Sequence, residues 1–328
     1  MHSRCVLKGA TYLITRRTAL RQCLLKQRDL PVVEQAIKFC LAHAAAKYGV
    51  SLHAFEFLWT HYHLVVTDRL GYLPLFEAWL NRHVALIAKI LRGIDENVFS
   101  TGSYSAVSLN APIAGDIDQP PKLLETPEDL LAAMDYVELN CVESRLVSSP
   151  GLWPGVTSWL RRLEESEVIE RPTVFFSKTS DVVPETATLV IEKPPVFRDM
   201  DLAEFARMRT ERLQAKQASL LADFAERGLK FLGLRNILRM KHTDRATSSE
   251  RIGGLNPHLA GKDRRIRIGR IQALRAFRRQ HRDALIAFAT DRMVEFPAGT
   301  YRMRVLHAVN VRFPKCCPNS RRPEPLPT

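Results

Sequence analysis

Four residues combine types and spacings that could act on a phosphodiester: His61, His63, Tyr136 and Asn140. The two histidines stand two apart within the run Phe55 to Thr67, which is rich in β-branched and aromatic residues. Side chains alternate along a strand, so both imidazoles are expected on one face. Two imidazoles on one face suit a divalent metal ion. Tyr136 and Asn140 are four apart in a helical pattern and so project from the same side. A phenol can attack phosphorus once it loses its proton and a cation polarises the phosphate. The expectation is therefore that His61, His63 and Asn140 hold Mg2+ or Mn2+, with Tyr136 as nucleophile. Read piece by piece, the same residues also fit an exposed edge strand and an ordinary amphipathic helix.

These residues need elements to position them. Thr11 to Arg17 reads as a short strand. Pro31 opens a helix whose apolar residues, Val33, Ile37, Cys40, Leu41 and Ala44, recur at three and four, and Gly49 ends it. Ser51 to Leu58 and His61 to Thr67 read as an antiparallel hairpin. Pro74 starts a second helix that Gly93 closes, and a fourth strand is expected around Tyr104 to Leu109. The stretch from Asn110 to Thr126 reads as a loop. Thr126-Pro127-Glu128-Asp129 is a helix start, with a capping residue, proline and then acids, and the helix is expected to reach about Val142. The order strand, helix, strand, strand, helix, strand is the split βαβ, ferredoxin-like arrangement, an α+β fold. One antiparallel sheet carries its helices on one face and leaves the other free for a site. Tyr62, between the histidines, must point the opposite way, into the core.

His61-Tyr62-His63 followed by Leu64-Val65-Val66 resembles the HUH motif of single-tyrosine transposases. Tyr136-Val137-Glu138-Leu139-Asn140-Cys141-Val142-Glu143-Ser144-Arg145-Leu146-Val147 is similar to that family's tyrosine helix, commonly Tyr-Ile-x-x-Asn-Pro-Val-Arg-Ala-Gly-Leu-Val. Cys141 stands where the pattern has proline, and Glu143-Ser144-Arg145 where it has Arg-Ala-Gly. Loss of that proline lets the helix run on by a turn. The branch most resembled is the REP-associated tyrosine transposases, over roughly Thr11 to Pro154. Asn97 to Tyr104 takes the place of that branch's Trp-x-x-x-[RF] strand entry. The resemblance implies a metal-dependent endonuclease and strand-transfer enzyme acting on single-stranded hairpin DNA. It further implies a covalent 5′-phosphotyrosine, a free 3′-OH and a homodimer.

The chain has 328 residues, 46% of them hydrophobic, enough for two domains with ordinary cores. Its formal net charge of +13 favours a polyanionic partner, nucleic acid before an anionic membrane surface. No apolar run is long enough to span a bilayer, and the N-terminal residues hold no apolar signal region. The six cysteines form no C-x-x-C pair, so reduced thiols in a cytoplasm are expected, and the resemblance implies a bacterial, nucleoid-associated location.

The division expected is a catalytic domain over 1–160, a basic accessory domain over 161–313, and a disordered tail over 314–328. In the accessory part, Val174 to Phe176 and Thr188 to Ile191 read as strands, Asp201 begins a long helix ending at Gly228, and Arg302 to Val311 reads as a last strand. Arg264, Arg265, Arg267 and Arg270 begin a long basic helix. With Arg16 and Arg17 they are the candidate DNA contacts, because guanidinium forks match phosphate oxygens. Two other functions fit the same residues. One is a nucleic-acid-binding protein on a ferredoxin-like sheet without chemistry, which would carry paired aromatics on the free face. The other is a metal-dependent hydrolase without a covalent step.

Overall fold

The structure is a computed structural model that describes residues 5–27, 31–100, 121–159, 162–179, 182–246 and 263–312. The first part forms a four-stranded antiparallel sheet in the order β2-β3-β1-β4. The strands are β1 (Ala10–Arg17), β2 (Val50–Phe57), β3 (His61–Asp68) and β4 (Lys122–Leu124). Helix α1 (Pro31–Tyr48) crosses from β1 to β2, and α2 (Leu73–Arg92) follows β3. This is the ferredoxin-like α+β arrangement expected from the order of elements. The stretch read as a fourth strand, Tyr104 to Leu109, lies outside the described residues. The fourth strand described is Lys122–Leu124, which the sequence reading had placed in a loop. It is a short edge strand that pairs only with β1 among the described strands, so it carries no alternating pattern of its own.

The strand period sorts the sheet into two faces. Tyr12, Ile14, Leu52, Phe55, Phe57, Tyr62, Leu64 and Val66 join α1 and α2 in the main core. Tyr62 is fully buried there and its hydroxyl donates to Asn81 Oδ1 at 2.5 Å. Leu13, Ala54 and Val65 face the other way, onto α3 (Pro127–Glu138). The register sets His63 opposite both Thr15 on β1 and Glu56 on β2.

Local chemistry fixes the ends of these elements. Buried Asp68 closes β3 and accepts the backbone N–H groups of Gly71, Tyr72 and Leu73, which opens α2. Gly49 takes a left-handed φ of +64° after α1, and any side chain there would strike Leu70. Thr126 Oγ1 accepts the Asp129 N–H at 3.0 Å and caps α3, with Pro127 at the first position.

A bulge in β2 between Leu52 and Ala54 turns His53 into a buried, doubly bonded position. Its ring nitrogens meet the Glu192 carbonyl and Thr67 Oγ1, each at 2.7 Å. Burial pushes this imidazole down to about 4. Below about pH 6.5 the unfolded chain takes up a proton there that the folded chain refuses. Stability should therefore fall as pH drops from about 6.5 to about 4, by about 3 kcal/mol for this group. Urea unfolding across that range checks it, and His53→Gln should flatten the slope.

The second part packs on the first. A two-stranded antiparallel sheet, β5 (Ser166–Glu170) and β6 (Thr186–Val190), places Ile169, Ala187 and Leu189 in the main core beside α1. Ser166–Glu170 is a strand with one buried side chain, Ile169. Val174 to Phe176 is a turn and not a strand, and Phe176 packs on Phe39 and His83. The short α4 (Asn140–Glu143) follows α3. Then come α5 (Leu202–Glu226), α6 (Leu234–Arg239), α7 (Arg264–Phe288) and α8 (Arg302–His307). The last of these corrects the expected final strand. Among the described residues no helix is long and apolar enough to cross a membrane.

Candidate functional site

The four side chains meet on the α3 side of the sheet. His61 and His63 rings lie with centroids 4.8 Å apart, nearly perpendicular. The Tyr136 ring stands edge-on to His63 at 4.9 Å, and its hydroxyl is 3.3 Å from His63 Nε2. Asn140 Oδ1 is 3.3 Å from His61 Nε2. Two histidines from the central hairpin and two residues from the late helical segment thus present a phenol, an amide oxygen and both Nε2 atoms to one small region.

Each ring is oriented by a threonine. His63 Nδ1 is 2.8 Å from Thr15 Oγ1, and His61 Nδ1 is 2.9 Å from Thr60 Oγ1. Fixing Nδ1 in this way turns Nε2 toward the site, the usual preparation of a metal-ligating imidazole. The sequence reading missed both threonines. Thr15 becomes visible only once β1 is set against β3 in its register. His63 is buried, and burial first, then the charges of His61, Arg17 and Lys122, push its pKa well below the usual histidine range. A neutral imidazole at ordinary pH is the form that ligates or accepts a proton.

The donor set fits a divalent ion whose remaining positions water can fill. Among the described residues no cluster of three His, Cys, Asp or Glu side chains gathers. His61, His63 and Asn140 supply two imidazoles and one amide oxygen, all uncharged. Such a set holds a first-row ion such as Mn2+ better than Mg2+, which prefers oxygen. His63 Nε2 can serve the Tyr136 hydroxyl or an ion at a given moment, not both.

The helix carrying Tyr136 does not run through to Val142. It breaks at Leu139, where φ is −104° and ψ is 5°, and restarts as α4 at Asn140. The reason lies on β2. Cys141, lacking the ring of a proline, keeps its N–H, and that N–H donates to buried Glu56 Oε2 at 3.2 Å. Glu56 is fully buried, and its other carboxyl oxygen has no hydrogen-bond partner among the described residues. Burial raises its pKa to about 8. The sequence reading did not single out Glu56; an acid facing inward among Ala54, His63 and Val65 was the signal available. Further on, Arg145 adopts a left-handed φ of 56°, and the carboxylate of Glu143 lies 3.4 Å from Lys216.

The arginines divide. Arg17 pairs with His61 across the sheet and adds to the field on His63. Arg16 faces the opposite way, stacked 5.3 Å over Phe99 and close to Tyr62, so it is not part of this site. Its position on a strand forces it to the face opposite Arg17. Arg270 pairs with Glu125, Arg264 and Arg265 are exposed at the start of α7, and Arg267 is half-buried.

No family model matches the chain, and no curated protein matches it. One solved structure aligns. It is that of a REP-associated tyrosine transposase bound to a REP hairpin, with 16% identity, covering 49% of this chain and 84% of that one. The TM-score is 0.36, too low to bear on activity.

Proposed function

We propose that this chain cleaves and rejoins single-stranded DNA, with Tyr136 as nucleophile. The observation that carries the reading is the Tyr136 hydroxyl set 3.3 Å from His63 Nε2, beside His61 and Asn140. These four come from one chain, on elements whose positions follow from the fold. A divalent ion at His61, His63 and Asn140 would neutralise a phosphate oxygen and orient the scissile bond. The protein's own residues do the rest. Thr15 and Thr60 hold the imidazoles, and α3 aims the phenol. The phenol gives its proton to solvent and its oxygen forms a bond to phosphorus as the bond to the 3′ oxygen breaks, and that oxygen takes a proton from solvent to leave as a 3′-OH. The resulting phosphotyrosine keeps the energy of the broken ester, so a second 3′-OH can displace it and reseal the strand.

The net charge of +13 supports a nucleic-acid partner. Exposed Arg264 and Arg265 on α7 are the proposed backbone contacts, with Arg17 nearer the scissile phosphate. The reading as a binding sheet without chemistry fares less well. Among the described residues the α3 side of the sheet carries two imidazoles against a tyrosine and is covered by a helix, which leaves no open aromatic platform there.

The test is incubation with a pool of single-stranded hairpin oligonucleotides and Mn2+, scored for an SDS-stable protein–DNA adduct. An adduct that EDTA prevents supports the reading, and its absence across the pool favours the binding protein. Metal affinity gives a second check that needs no DNA. Thr15→Val removes the partner of His63 Nδ1 and should weaken Mn2+ binding about tenfold by calorimetry, with the fold intact.

A further inference from the structure

The accessory helix α5 lies along the helix that carries Tyr136 and meets it through a buried ionic seam. Phe205 is fully buried among Leu130, Leu131, Met134 and Val137 of α3. One turn on, Arg209 is 5% exposed. Its guanidinium donates to Asp135 Oδ1 and, at 2.8 Å, to Glu138 Oε2. Arg212 Nε donates to Asp135 Oδ2 at 2.5 Å, and its two terminal nitrogens reach Glu128 at 2.7 and 3.2 Å. Lys216 reaches Glu143 on α4 at 3.4 Å, and Leu213 and Leu220 join the cluster that holds Leu139, Cys141 and Val142. The acids on α3 flank the nucleophile: Asp135 precedes Tyr136 and Glu138 follows it by two.

We propose that Arg209 and Arg212 are positioning residues that splint α3 and thereby hold Tyr136 against His63. Asp135 is 1% exposed, and both of its oxygens are taken by these two guanidiniums. Turning or sliding α3 would strip a buried carboxylate of both partners, which proteins resist strongly. The seam therefore sets the rotation of α3 about its axis, and with it the direction of the phenol. This deepens the function proposed above and rests on it for the role of Tyr136, but the splint itself can be tested apart from any reaction.

The experiment compares the full chain with Arg209→Met and Arg209→Lys. Hydrogen exchange is followed by mass spectrometry on peptides spanning 127–143 and on those of β1 and β3. Arg209→Met should speed exchange in the 127–143 peptides by about tenfold or more while β1 and β3 stay protected. Arg209→Lys, which keeps the charge, should recover part of the protection. With the hairpin oligonucleotide pool and Mn2+, the adduct rate of Arg209→Met should fall by about the same factor with oligonucleotide affinity unchanged. Protection in 127–143 equal to wild type would overturn the splint. Should Arg209→Met fail to fold, Arg212→Met takes its place, since that side chain is 30% exposed, and the same outcomes decide. If wild type forms no adduct while α3 loosens as stated, the splint stands and the proposed reaction fails.

Discussion

Tyr136→Phe is expected to abolish the covalent adduct, on the order of 10⁵-fold in rate, while DNA binding and folding stay intact. The substitution removes one oxygen. Its contact with His63 Nε2, at 3.3 Å, is a long hydrogen bond whose loss costs about 1 kcal/mol. A collapse of activity in a variant that still melts like wild type reports the lost nucleophile rather than unfolding. Tyr62 cannot substitute, because it is buried on the other face with its hydroxyl on Asn81. Gel-shift affinity, thermal melting and SDS-stable adduct yield, measured side by side, check the claim. Retained hydrolysis without an adduct would instead point to metal-dependent hydrolysis by water.

Glu56→Gln should stabilise the protein at neutral pH by about 3 kcal/mol and remove a pH dependence. Burial raises the Glu56 carboxyl to about 8, so the folded chain keeps a proton that the unfolded chain gives up above about 4.5. The sign follows directly. The contribution is fully present below about pH 4.5 and is lost as pH rises toward about 8, because the unfolded state sheds the proton first. Glutamine keeps an oxygen for the Cys141 N–H and cannot ionise, so its stability should not decline over that window. Chemical denaturation of both forms at pH 5 and pH 8 measures the difference. Equal slopes would mean that Glu56 is ionised in the folded protein.

The hairpin and its histidine pair were legible because strand alternation is strict. Once Tyr62 is buried, His61 and His63 must share the other face. The start of α3 was legible because its cap, proline and acids are contiguous in the chain. What escaped the sequence depends on distant partners. The break at Leu139 arises from Glu56 on β2 taking the Cys141 N–H, eighty-five positions away in sequence. The edge strand Lys122–Leu124 owes its form to β1 rather than to its own three residues. The helix Arg302–His307 replaced an expected strand because alternating Arg, Met, Arg, Val and Leu fits either period over so short a run. Arg209 stood among many arginines, and only its burial against Asp135 sets it apart. Conversely, Arg16 and Arg17 looked equivalent as neighbours, yet the pleat sends them to opposite faces.

The most direct measurement is to digest a trapped protein–DNA adduct and locate the modified residue by mass spectrometry. The expected result is a single modified peptide containing residues 130–145, with the nucleotide mass on Tyr136. A nucleotide on any other side chain, or an adduct of equal yield from the Tyr136→Phe protein, would contradict the account.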